Sequence, residues 1–289
     1  MKPLPHPAAA RLPAFYRFAP LAVFAVVTVV NFWPVGERRF EDDADVLVQP
    51  AGWAFSIWGI IFLGLIGFSV VLAKAREPDT PYLRRAVVGL CVAGLASIAF
   101  VPISIGGNQL LGFADVLVHL GALIYAYAAL RRHVRATPPR PRRRGFWFYG
   151  PSMYLGWISA ATVVSAALAF EQLGLDPGPR ASLVLAAVLV VVLLGIGRQF
   201  QVHADNVYGL TVAWALFGLG VEQGEVPVLR YGAWAAAAIL LVNALMRVSR
   251  GKYGFYVTPG YYPAVAAPDP AAPRAESAPS RSTVSSVPS

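Results

Sequence analysis

The chain alternates between long apolar runs and short polar or helix-breaking punctuation. A helix needs about 20 apolar residues to cross the hydrocarbon core of a bilayer. Runs of this kind occupy approximately residues 18–34, 52–73, 86–105, 110–130, 146–170, 182–200, 207–222 and 228–247. The breaks between them are chemically marked. From Glu37 to Asp45, seven of nine residues are charged. Lys74 to Arg85 is charged and contains Pro78 and Pro81, Gly106-Gly107-Asn108 reads as a tight turn, and Arg131 to Arg144 is rich in Arg and Pro. Asp176-Pro177-Gly178-Pro179 breaks any helix. The seventh run is the weakest, because it is short and follows His203-Ala204-Asp205-Asn206 directly. The pattern predicts an all-α fold, a polytopic transmembrane helix bundle of about eight spans.

Composition narrows the solvent. Of 289 residues, 57% are hydrophobic and only 13% are charged, against roughly 25% charged in an ordinary soluble domain. A soluble fold of this length would lack polar residues for its outer surface, so an aqueous enzyme, a coiled coil and a wholly disordered chain are excluded. The single cysteine, Cys91, closes no intrachain disulfide and builds no Cys-rich metal site.

The net charge of +9 would suggest nucleic acid in a soluble protein. Its placement gives another reading. With eight spans and a cytoplasmic N-terminus, 20 of the 24 lysines and arginines fall on the inner side and four on the outer. That bias follows the positive-inside rule and places both termini in the cytoplasm. The partners this implies are membrane lipid, through anionic headgroups, and no nucleic acid. Lys2, Arg11 and Arg17 before the first run resemble a secretory signal, but no small-residue cleavage site follows, so residues 1–17 read as a cytoplasmic N-terminus before an uncleaved helix. Residues 263–289, rich in Ala, Pro and Ser, cannot bury a core and read as a disordered tail.

Ionisable residues within the spans are the first candidates for chemistry. Asp115 and His119 are four apart in the fourth run and share a helix face with Ala122 and Ala126. They suit a ligand contact, a proton site or an axial haem ligand; a mutually satisfied pair, or an aspartate kept wet near the outer interface, is the plainer alternative. A second constellation is aromatic. Phe55, Trp58 and Phe62 form one stripe on the second run, and Tyr154, Trp157, Ala161 and Ser165 form another on the fifth. Such stripes suit a flat apolar ligand but also ordinary helix packing. Arg198, His203, Asp205 and Tyr208 could bind an anion, and read more simply as a solvated turn. Leu123-x3-Tyr127-x3-Arg131 fits a short sterol-contact pattern of little specificity. The three lysines, Lys2, Lys74 and Lys252, lie outside the spans, which excludes a retinal Schiff base. No phosphate-binding Gly-Lys-Ser/Thr loop, His-Glu-x-x-His or Gly-x-Ser-x-Gly occurs.

Two segments resemble the translocator-protein family (TspO/MBR, the tryptophan-rich sensory proteins). Pro50-Ala-Gly-Trp53-Ala-Phe55-Ser-Ile-Trp58-Gly-Ile-Ile-Phe62 resembles the family's Pro-x-x-Trp lead into the second helix, followed by a second Trp and a further aromatic. Tyr154-Leu155-Gly-Trp157-Ile-Ser159-Ala-Ala161-Thr162 is similar to its fifth-helix motif Tyr-Leu-Ala-Trp-Val-Ser-Phe-Ala-Thr. The sequence departs in four places: Trp53 and Trp58 are one residue closer than expected, the proline before the fifth-helix tyrosine is displaced to Pro151, Ser165 stands for an asparagine, and Ser97-Ile98-Ala99-Phe100 replaces an expected Asn and Trp. The resemblance covers residues 18–170; residues 182–247 form a three-helix extension, as in a longer eight-span bacterial set of the same name. It implies a bundle in a bacterial plasma membrane with an interhelical pocket for a small, flat, apolar ligand, a tetrapyrrole or sterol-like lipid. A porphyrin or haem is the cofactor-like ligand to expect, and a second copy of the chain a candidate partner. By position, Trp53, Trp58, Tyr154, Trp157, Ala161 and Thr162 would line the pocket, joined by Phe62 and His119 from the patterns above. Two other functions stay open: a secondary transporter coupled through Asp115 and His119, and a lipid-acting membrane enzyme using the same pair as acid and base. No internal repeat supports the first, and no further carboxylate deep in a span supports the second.

Overall fold

A chain in lipid must satisfy every backbone polar group internally, which leaves helices or a closed barrel. The computed structural model describes residues 11–32, 47–74, 78–136, 147–175, 178–203 and 205–249. Among them are eight α-helices: α1 (Ala14–Phe32), α2 (Ile57–Lys74), α3 (Pro81–Ile105), α4 (Gln109–Ala136), α5 (Tyr149–Gln172), α6 (Pro179–Val202), α7 (Asn206–Glu222) and α8 (Pro227–Ser249). A 3₁₀ turn, Gly52–Ser56, leads into α2. The acidic segment 37–45, the first ten residues and the tail 263–289 lie outside the described residues.

Each expected apolar run has its helix, and several helices overshoot their runs. Helix α3 starts at Pro81, where Thr80 accepts a hydrogen bond from the Leu83 N–H (3.1 Å) and proline occupies the first helical position. It therefore carries Arg84 and Arg85 within its first five residues. Helix α4 runs on to Ala136 and includes Arg131, Arg132 and Arg135. Backbone hydrogen bonding does not end where the hydrocarbon does. Seven helices, α7 excepted, are long and apolar enough to cross a membrane.

The first five helices close a ring. Helix α1 packs on α2 and α3, α3 on α4, α4 on α5, and α5 returns to α2. Small residues permit the tightest crossings, as expected where association depends on packing rather than on escape from water. A methyl group added to Gly150 on α5 would lie 2.5 Å from the Gly64 backbone on α2. One added to Gly89 on α3 would lie 2.8 Å from Ala126 on α4.

Helices α6, α7 and α8 each pack on the other two. Helix α7 joins them to the ring through α5 and the 3₁₀ turn. Twelve of the 17 residues of α7 are buried, which explains how a short segment sits among longer ones: its neighbours, not lipid, surround it. Between α6 and α8, Asn243 donates to Gln201 Oε1 (2.5 Å) and Gln201 Nε2 to the Leu240 carbonyl (2.7 Å). All eight helices belong to one compact unit.

Candidate functional site

The ring directs the two aromatic stripes at each other. Trp58 stacks on Phe62 (ring centroids 5.2 Å apart) and meets Tyr154 (5.7 Å) and Trp157 (6.4 Å) edge-on. Phe55 lies edge-on to Trp157 at 5.4 Å. Helices α2 and α5 thus supply one continuous aromatic cluster. Phe62, Tyr154 and Trp157 are buried, whereas Trp58 and, on the 3₁₀ turn, Phe55 are half-buried.

A polar group terminates the cluster on the α4 side. His119 is buried, its Nε2 hydrogen-bonded to the Tyr154 hydroxyl. That hydroxyl donates to the Ala93 carbonyl of α3 (3.0 Å). On the other side of the imidazole, Nδ1 lies 3.8 Å from Asp115 Oδ2, beyond hydrogen-bond reach, and both atoms are buried without a hydrogen-bond partner. The Asp115 side chain is 10% exposed.

Of the residues the sequence singles out for the pocket, Trp58, Phe62, His119, Tyr154 and Trp157 come together. Three do not join them by any ring or hydrogen-bond contact. Trp53 precedes α2 on the 3₁₀ turn and is 43% exposed, edge-on to Trp214 (5.1 Å) and Phe217 (5.9 Å) of α7. The segment that draws it there, α7, lies more than 150 residues on in the sequence and is tied to the turn by two bonds. The Ala51 N–H donates to the Gly218 carbonyl (3.1 Å), and Trp214 Nε1 donates to the Ala54 carbonyl (2.8 Å). Ala161 is half-buried one turn beyond Trp157. Thr162 bonds its own helix at the Ile158 carbonyl (2.7 Å) and lines a separate cleft between α4, α5 and α6.

A second polar centre escapes the sequence reading. Asp205, expected in a solvated turn, is fully buried at the start of α7. Its Oδ2 accepts from the hydroxyls of Tyr127 on α4 (2.5 Å) and Ser152 on α5 (2.7 Å), and its Oδ1 from the Tyr208 N–H (2.9 Å), capping α7. Burial pushes its carboxyl above the usual aspartate range, against the pull of these three donors and of the nearby Arg131. Tyr127 and Leu123 are buried in the bundle, so the short sterol-contact pattern offers lipid only its arginine.

Helices of this length and hydropathy around an enclosed aromatic core define a multi-pass helical membrane protein. The model of the TSPO-like protein family matches residues 14–246, and the chain belongs to that family. The match runs through α6, α7 and α8 and does not stop at α5. Comparison with curated proteins and with solved structures gives no match.

Proposed function

We propose that this protein binds a flat apolar ligand, a tetrapyrrole or sterol-like lipid, at the aromatic cluster inside the ring, as a binding or sensory protein of a bacterial plasma membrane. The observation that carries the reading is the convergence of Trp58, Tyr154 and Trp157 with His119 from three helices. Aromatic faces suit a planar hydrocarbon, and one polar group at the rim fixes its orientation. The half-buried Phe55 and Trp58 form the approach. The charge asymmetry of the loops supports cytoplasmic termini.

Titration of the purified protein with protoporphyrin IX, read on the porphyrin's own absorption band, tests this. Saturable binding is expected. Trp157→Ala weakens it roughly tenfold, the equivalent of one or two lost ring contacts, while Trp53→Ala leaves it unaltered. Absence of saturable binding removes the ligand class, and an unaffected Trp157→Ala removes the site.

One observation favours a second reading, proton-coupled transport of an organic solute. Asp115 and His119 each keep a buried polar atom without a hydrogen-bond partner. Uptake into proteoliposomes driven by a proton gradient, and abolished by Asp115→Asn, supports it; uptake indifferent to that substitution excludes the coupling role.

A further inference from the structure

The cleft between α4, α5 and α6 has a volume of about 440 Å³ and lies apart from the aromatic cluster. Its walls are hydrocarbon, with Leu120 and Ile124 from α4, Ala166 from α5, and Ile196 and Phe200 from α6 among them. The hydroxyls that line it already donate elsewhere: Tyr208 to Ser159 Oγ (2.9 Å), Ser159 to the Leu155 carbonyl (2.8 Å) and Thr162 to the Ile158 carbonyl (2.7 Å). An occupant of the cleft itself must therefore be apolar.

The α4 wall does not end apolar. Phe113, Leu120, Ile124, Arg131 and Arg135 follow one another at spacings of seven, four, seven and four residues, so all five share one helix face. Arg131 lies on this face two turns beyond Ile124, the last α4 residue of the cleft wall. Its guanidinium lies 5.7 Å from the Tyr127 ring, which is 5.5 Å from the ring of Phe200 in the cleft wall. One Arg131 nitrogen reaches the His203 carbonyl at the end of α6 (3.3 Å). A hydrocarbon slot that ends in cationic side chains matches an amphipath with an anionic head. We propose that the cleft holds an acyl chain of an anionic phospholipid, whose headgroup phosphate pairs with Arg131 and Arg135. Guanidinium groups bind phosphate oxygens through paired, charge-assisted hydrogen bonds.

Native mass spectrometry of the delipidated full-length protein tests this. The probes are phosphatidylglycerol, phosphatidylcholine with the same chains, and glycerol 3-phosphate. Wild type is expected to retain phosphatidylglycerol over phosphatidylcholine, by about fivefold for each arginine at the headgroup. Arg135→Gln and Arg131→Gln each remove their share, and Arg131→Lys keeps most of it. Ala166→Phe and Ile124→Trp fill the slot and weaken both lipids; Ile124 is 53% exposed, so its variant folds even where Ala166→Phe does not. Equal retention of the two lipids by wild type overturns the proposal. So does glycerol 3-phosphate binding as well as the intact lipid, which marks an anion site without a chain slot. Undiminished phosphatidylglycerol binding by Ile124→Trp removes the cleft as its location.

Discussion

Asp205→Ala takes away one acceptor that α4, α5 and α7 share. Two hydroxyls, on Tyr127 and Ser152, then lose their carboxylate in a buried position, and α7 loses its cap. Loss of an N-cap costs about 1 kcal/mol, and each buried donor left without an acceptor about 1–3 kcal/mol. Together they give roughly 3–7 kcal/mol. At roughly 2–4 °C per kcal/mol for a chain of this size, the apparent Tm falls by at least about 6 °C. Asp205→Asn is the informative companion. Its amide oxygen still caps α7, and its NH₂ group donates to hydroxyls that can turn to accept, so it loses less. The assay is scanning fluorimetry in detergent, with helicity checked by circular dichroism before heating. The reasoning fails if Asp205→Ala melts within about 2 °C of wild type, or if Asp205→Asn melts as low as Asp205→Ala.

The same carboxyl predicts a pH dependence. Its folded-state pKa is raised, so its contribution to stability is full below the ordinary aspartate value near 4 and is lost as pH rises through the folded value. Melting temperature measured against pH is expected to fall across that window in wild type and to run flatter in Asp205→Asn; equal slopes contradict the assignment. Gly150→Val forces a side chain into the Gly64 backbone and costs about 1–3 kcal/mol in the same melting assay, whereas Gly59→Ala, with no atom within 4 Å of the added methyl, is expected to be neutral. Asn243→Ala strands Gln201 Oε1 and costs about 1 kcal/mol. The double variant Gln201→Met/Asn243→Leu recovers most of that in the melting assay, and failure to recover points to packing rather than hydrogen bonding.

Hydropathy locates the helices because the bilayer sets a length that few other structures need. It does not say which face of each helix looks inward. In a soluble helix the buried stripe is the apolar one, but here lipid makes both faces apolar. The inward faces are marked instead by small or polar residues: Gly64 and Gly150 where α2 meets α5, Ser152 beside Asp205, Asn243 opposite Gln201. The aromatic stripes on α2 and α5 are legible from spacing within each helix, but their convergence depends on the ring order, which spacing does not contain. Trp53 shows the limit of local reading, since its surroundings are decided by α7 far along the chain. Asp205 shows another. A charged residue between two spans looks solvated until the hydroxyls of Tyr127 and Ser152 come within reach.

The shared carboxylate also imposes an order in time. The chain is made from its N-terminus, so the five helices of the ring are synthesised before Asp205 exists. Until α6 and α7 follow, Tyr127 and Ser152 have no acceptor there, and the Ala51 N–H and Ala54 carbonyl have no partner from α7. The turn that carries Phe55 to Trp157 gains its two α7 hydrogen bonds only with that late arrival. Insertion of the early helices therefore precedes the formation of these contacts. A chain halted after α5 would hold every helix of the ring but lack the α7 contacts to its 3₁₀ turn and to Tyr127 and Ser152.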